Sequence, residues 1–204
     1  MDKIDKIIQF WFEGLTDDVL IEKKNPIVKK WFVKDAKFDQ EIRMRFEEDI
    51  QKAARGEYNS WEDSPQGVLA LILLFDQFPR NIYRGLPEAY AFDLKALALS
   101  LQAIHREDDL KLPLIQRIFI YMPLEHDENI KVQMKSIQCF KNIVKLAQQK
   151  SPQNVSYFEY NLTYALKHEA IVQEFGRFPH RNAILKRAST PQEVTFLKKP
   201  NSSF

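Results

Sequence analysis

Two short stretches of this chain place reactive side chains in nearly the same order. One reads Asp76-Gln77-Phe78-Pro79-Arg80-Asn81, and the other Gly176-Arg177-Phe178-Pro179-His180-Arg181-Asn182. Each sets an arginine just beyond a Phe-Pro step, where proline fixes the backbone and so limits where the side chain reaches. A guanidinium held in this way suits a planar, two-point grip on a carboxylate or phosphate. The candidate ligand-binding groups are therefore Arg80, Arg177 and Arg181, with Asp76, Gln77, Asn81 and Glu125 as polar partners. Glu125 belongs to a third element, Met122-Pro123-Leu124-Glu125-His126, which reads as a helix end and a polar loop. His126, His168 and His180 are the candidate acid–base groups, because imidazole alone titrates near neutrality without perturbation.

Each of these residues also has a structural reading. Asn81 and Asn182 could cap helices, Asn182 at the head of a helix over Ala183–Arg187. The arginines could be spent on Asp76 or Glu125. His168 shares an apolar stripe with Tyr164 and Ile171, so a neighbouring hydroxyl such as that of Tyr164 could satisfy it. Asp127 and Glu128 suit the first turn of a helix, where carboxylates meet the positive end of the dipole. Burial separates the readings: a ligand site requires the arginines and histidines to converge on one enclosed space.

Other chemistries lack their signatures. The four histidines show no H-E-x-x-H spacing, and no metal site is expected. No cofactor is expected either, because the five glycines do not cluster into a phosphate-binding loop. Cys139, the single cysteine, sits within a helical run and reads as a packing thiol. Thirty basic residues against 28 acidic ones, a net charge of +2, argue against a nucleic-acid-binding role. The longest apolar run, Val68–Phe75, is far short of the roughly 20 residues that span a bilayer. The N-terminal residues carry no signal-like apolar segment, so a soluble, cytoplasmic protein is expected.

The elements that must position these groups read as helices throughout. One stripe runs Ile4, Ile7, Ile8, Trp11, Phe12, Leu15, and another Phe38, Ile42, Phe46, Ile50, Ala53. Ser64-Pro65 opens an all-round apolar helix that Pro79 should halt. Pro87 opens a helix through Ile104, Pro113 one through Met122, and a long helix over 127–150 places Ile130, Met134, Ile137, Val144 and Ala147 on one face. Thr190-Pro191-Gln192-Glu193 is a capping box. The expected fold is all-α, with about nine or ten helices in antiparallel pairs forming one domain over 1–204 and a frayed tail over 200–204.

Phe10-Trp11-Phe12, Leu73–Asn81, Tyr121–His126 and the run from Tyr164 through His168 to Asn182, in this order, resemble the bacterial family known as domain of unknown function 924. The resemblance covers essentially the whole chain. It implies a tetratricopeptide-like fold, a right-handed superhelix of helix pairs, and supplies no reaction. Two functions follow as expectations. One is a site for a small anionic molecule, a carboxylate or phosphate, between helices. The other is a helical scaffold for a peptide or protein partner, with Tyr157–Asn161 on an exposed groove.

Overall fold

The computed structural model describes residues 1–22, 24–200 and 202–203. Every regular element among them is helical, and no strand occurs. α1 (Lys3–Phe12) begins where the Asp2 carboxylate accepts the Asp5 amide, and ends in a left-handed turn at Glu13. α2 (Pro26–Phe32) is anchored by Trp31, whose indole N–H donates to the Trp11 carbonyl at 2.9 Å. α3 (Ala36–Ala54) buries the expected Phe38, Ile42, Phe46, Ile50 and Ala53.

The centre is α4 (Pro65–Ile72), capped by Ser64 and buried from Gly67 onward. Gly67 is required here, since a Cβ would lie 2.1 Å from the Trp61 carbonyl oxygen. Pro79 does not halt this helix as expected. The chain instead widens into a π-helical turn over Leu73–Gln77, in which the Phe78 amide reaches back five residues to the Leu73 carbonyl, and α5 (Phe78–Ile82) follows directly. The wider turn makes room for a proline that offers no N–H to the helical ladder.

The helix expected from Pro87 to Ile104 is divided into a 3-10 turn at Pro87–Tyr90 and α6 (Asp93–His105). α7 (Leu114–Glu125) runs past Met122 with Pro123 inside its last turn, where one lost hydrogen bond is tolerated. α8 (Ile130–Lys150) starts at the Asn129 cap rather than at 127, and α9 (Val155–Phe175) closes on Gly176 at φ 68°. The two pack along their length as an antiparallel pair joined by the turn at Ser151–Asn154. On α8 the buried stripe carries Gln133, Ser136, Cys139, Phe140, Ile143 and Ala147, and Met134 faces solvent against expectation. α10 (Pro191–Leu197) has the capping box read from Thr190 and Glu193. No helix forms over Ala183–Arg187. Asn182 there donates to the Ser189 hydroxyl and accepts from Arg187 instead of capping.

One hydrophobic cluster runs from α1 to α9, with Leu69, Ile72, Leu73 and Phe75 at its centre. Trp11, Phe12, Trp31 and Phe119 interlock beside it, the Trp31 and Phe119 rings edge-to-face at 4.9 Å. A small second cluster forms around Ile171, Val172 and Phe178. Of the expected frayed tail, Asn201 and Phe204 lie outside the described residues. Ser202 is tied to the Leu197 carbonyl at 3.2 Å. No described helix is long and apolar enough to cross a membrane.

Candidate functional site

The two Phe-Pro segments meet. Asp93, at the start of α6, receives both arms of the Arg80 fork at 2.9 and 3.0 Å and lies 3.6 Å from Arg181. Tyr90, from the turn before α6, lies under both guanidiniums, 5.6 Å from Arg80 and 4.9 Å from Arg181. Like charges brought this close repel unless carboxylates compensate. Asp93 and Asp76 do so, and neither Asp93 nor Tyr90 carries a motif that would reveal it in sequence.

The two arginines differ in how much of their hydrogen-bonding capacity is used. Arg80 also reaches the Asp76 carboxylate at 3.0 Å and its carbonyl at 2.8 Å, so its fork is spent on the protein. Arg181 is 7% exposed and lies over the Phe178 ring at 4.5 Å as well as over Tyr90. Its buried Nε has no hydrogen-bond partner among the described residues. Burial and then the nearby Arg80 charge pull its pKa below the ordinary guanidinium range, although it stays charged at neutral pH. Arg177 does not join the group. Its fork closes on Glu193 at 2.6 and 2.8 Å and on the Ala188 carbonyl, where it holds α10 to the end of α9.

Around Arg181 opens a cavity of about 710 Å³ bordered by α2, the π turn and α5, the C-terminal end of α7, and α9. Of the sequence candidates, Gln77, Arg80, Asn81, Glu125, His126, His168, His180 and Arg181 all lie on its wall. Asp76 is completely buried just behind it. Asn81 is not a cap; it donates to Asp39 at 2.9 Å from within α5.

Two acid–imidazole pairs stand on this wall. Asp76 Oδ1 is 2.7 Å from His126 Nδ1. Burial would raise the Asp76 carboxyl, but the Arg80 charge and His126 hold it below the usual range. An ionised Asp76 only accepts, so His126 carries its proton on Nδ1 and keeps Nε2 as its acceptor. Burial, then Arg80, push the His126 pKa below 6.5 despite Asp76, so the ring is neutral at pH 7. In the second pair, His168 Nδ1 lies 2.9 Å from Glu125 Oε1 and 2.9 Å from the Tyr164 carbonyl. Tyr164 thus meets His168 through its backbone carbonyl. The two imidazole rings are 6.2 Å apart.

Three supports were not legible as motifs. Gln133 on α8 donates to the Glu125 and Asp127 carbonyls at 2.7 and 2.5 Å, which satisfies the end of α7 and fixes the Glu125-His126 step. Glu128 accepts the Phe178 amide at 2.8 Å and pairs with Arg187 at 2.6 and 2.9 Å, tying the second Phe-Pro loop to the α7–α8 junction. Tyr157, Tyr160 and Asn161 of α9 face the cavity, Tyr157 and Asn161 buried.

An all-helical chain with these loops meeting around Asp93 belongs to the family described as bacterial proteins of unknown function (DUF924), whose model matches residues 7–201. It is similar to a solved structure, the protein of unknown function ATU0120 from Agrobacterium tumefaciens. The two are 36% identical, the match covers 96% of each chain, and the TM-score is 0.77. No curated protein matches the chain.

Proposed function

We propose that the cavity binds a small molecule bearing a carboxylate or phosphate, with Arg181 as its anchor. The observation that carries this is the incompletely paired Arg181: a buried guanidinium on two aromatic faces, with one distant ion pair and a bare Nε among the described residues. Burying a cation without full compensation is costly, and a ligand anion would supply what is missing. The wall supports the same reading. Among the described residues it carries six basic side chains, Lys29, Lys34, Arg80, Arg84, Lys167 and Arg181, and one carboxylate, Glu125. Adding Asp39, Asp76 and Asp93 behind the wall still leaves cations in the majority, and a concave wall focuses that field on its contents. The volume suits a drug-sized or smaller ligand.

The test is Arg181→Lys. It keeps the charge and removes the planar fork. Calorimetric titration with phosphate and with citrate should show binding to the unaltered protein and its loss in the variant, with the unfolding midpoint nearly unchanged. Loss of folding in the variant would instead mark Arg181 as a structural clamp. The alternative, a tetratricopeptide-like scaffold for a peptide or protein, has less support. Tyr157, Tyr160 and Asn161, the residues that reading needs on an exposed groove, belong to the cavity wall.

A further inference from the structure

A pocket that only held an anion would need the arginine and little else. This one places two carboxylate-oriented imidazoles on the same wall, and binding alone gives no reason for them. His126 is turned by Asp76 at 2.7 Å so that Nε2 is its acceptor, and His168 is held by Glu125 at 2.9 Å. With the ring centroids 6.2 Å apart, a group seated at one imidazole lies close to the other. Among the described residues the lining offers no thiol, since Cys139 is buried on α8 and is not part of the wall. The lining does carry hydroxyls and amines, Ser203 and Lys167 among them, and water is the nucleophile taken here.

We infer that the cavity is a hydrolytic active site in which His126 acts as general base and His168 as general acid on an ester whose acyl part carries the anionic group. The inference rests on the proposed anion site, because Arg181 must seat that group. In the step, His126 Nε2 takes a proton from water as the water oxygen bonds to the ester carbonyl carbon. The carbonyl electron pair moves onto its oxygen and then returns. The bond to the leaving oxygen breaks, and that oxygen takes its proton from the His168 imidazolium. The products are an acid and an alcohol, and solvent exchange carries the proton from His126 back to His168. Asp76 and Glu125 are positioning residues: Asp76 fixes the His126 proton on Nδ1, and Glu125 orients the protonated His168 ring through its Nδ1–H.

Two chromogenic esters test this, the anionic 4-nitrophenyl hemisuccinate and the neutral 4-nitrophenyl acetate. The folded protein should hydrolyse the hemisuccinate with kcat/KM at least about tenfold above the acetate, and Arg181→Lys should remove that preference. His126→Gln should lower kcat by about 10²-fold or more with KM little changed. On the unaltered protein the rate should rise with pH through an acid limb below about 6.5, as His126 loses its proton. The groups facing it are Asp76, Arg80, Glu125, His168 and His180. Asp76→Asn should move that limb to lower pH and reduce the plateau, because Asp76 holds the His126 proton on. A purely structural Asp76 would reduce the rate and leave the limb in place. No turnover of either ester above the buffer rate overturns the inference, as does full activity in His126→Gln or a flat pH profile. Phosphate binding, measured separately, decides the anion site: bound phosphate with no turnover sinks the hydrolysis alone, and turnover without the anionic preference sinks the role given to Arg181.

Discussion

His180 sits beside Arg181 at the point where the second Phe-Pro loop enters the cavity. Burial, then the charges of Arg181 and His168, push its pKa down to about 4. A histidine whose folded pKa lies below its unfolded value near 6.5 binds fewer protons folded than unfolded. It therefore contributes stability above pH 6.5 that is lost as pH falls toward 4. The loss should reach a few kcal/mol, on the scale of about 1.4 kcal/mol for each pH decade between the two values. Chemical denaturation at pH 7.5 and pH 4.5 should show it, and His180→Gln should flatten most of the difference. An unaltered slope in that variant would place the acid sensitivity elsewhere, for instance at His126, whose pKa is depressed in the same direction. Asp76 titrates in a lower window, below its ordinary value of 3.8, and does not confuse the comparison.

At the scale of elements, the C-terminal end of α7 is the most heavily supported part of the site. Its last carbonyls would be left bare without Gln133, a fully buried amide reaching across from α8. Gln133→Leu is close in size and removes the donor. It should cost about 1–3 kcal/mol and weaken phosphate binding by loosening the Glu125-His126 step. A denaturation series paired with titration checks both effects. The same residue explains why the buried stripe of α8 departs from its apolar pattern. Counting apolar side chains favours Met134 over Gln133, but the amide earns burial through a partner on another helix that no local pattern contains. Pro79 misled for a related reason. Proline predicts a stop from local sterics, whereas packing of Leu73–Phe75 on all sides keeps the helix going and the π turn absorbs the misfit. What local pattern does reveal is the helical period, the Ser64 and Thr190 caps, and two arginine-bearing loops of one design. Which arginine of the second loop is bound to the protein and which faces the cavity depends on Glu193, and so was hidden.

Over the whole molecule, the site is a seam between the middle and last thirds of the chain. Arg80 comes from α5, which continues α4 through the π turn, and Arg181 from the segment after α9, and Asp93 is shared between them. Its geometry therefore depends on the core that holds α4 against α1, α6 and α7. Leu73 is fully buried at the mouth of the π turn. Leu73→Ala should cost about 2–5 kcal/mol, read by equilibrium denaturation. A loss below about 1 kcal/mol would show that the turn collapses readily around the missing methyls and is not a rigid platform for Asp76 and Arg80.

Trp31 gives the cavity an optical handle. Of the three tryptophans, it alone lines the wall. Trp11 stacks behind it at 6.2 Å, and Trp61 lies flat on Tyr58 at 4.1 Å, away from the cavity. Replacing Trp61 with Phe leaves a stacked indole pair whose outer member meets whatever enters, so ultraviolet emission from the unlabelled protein reports occupancy directly.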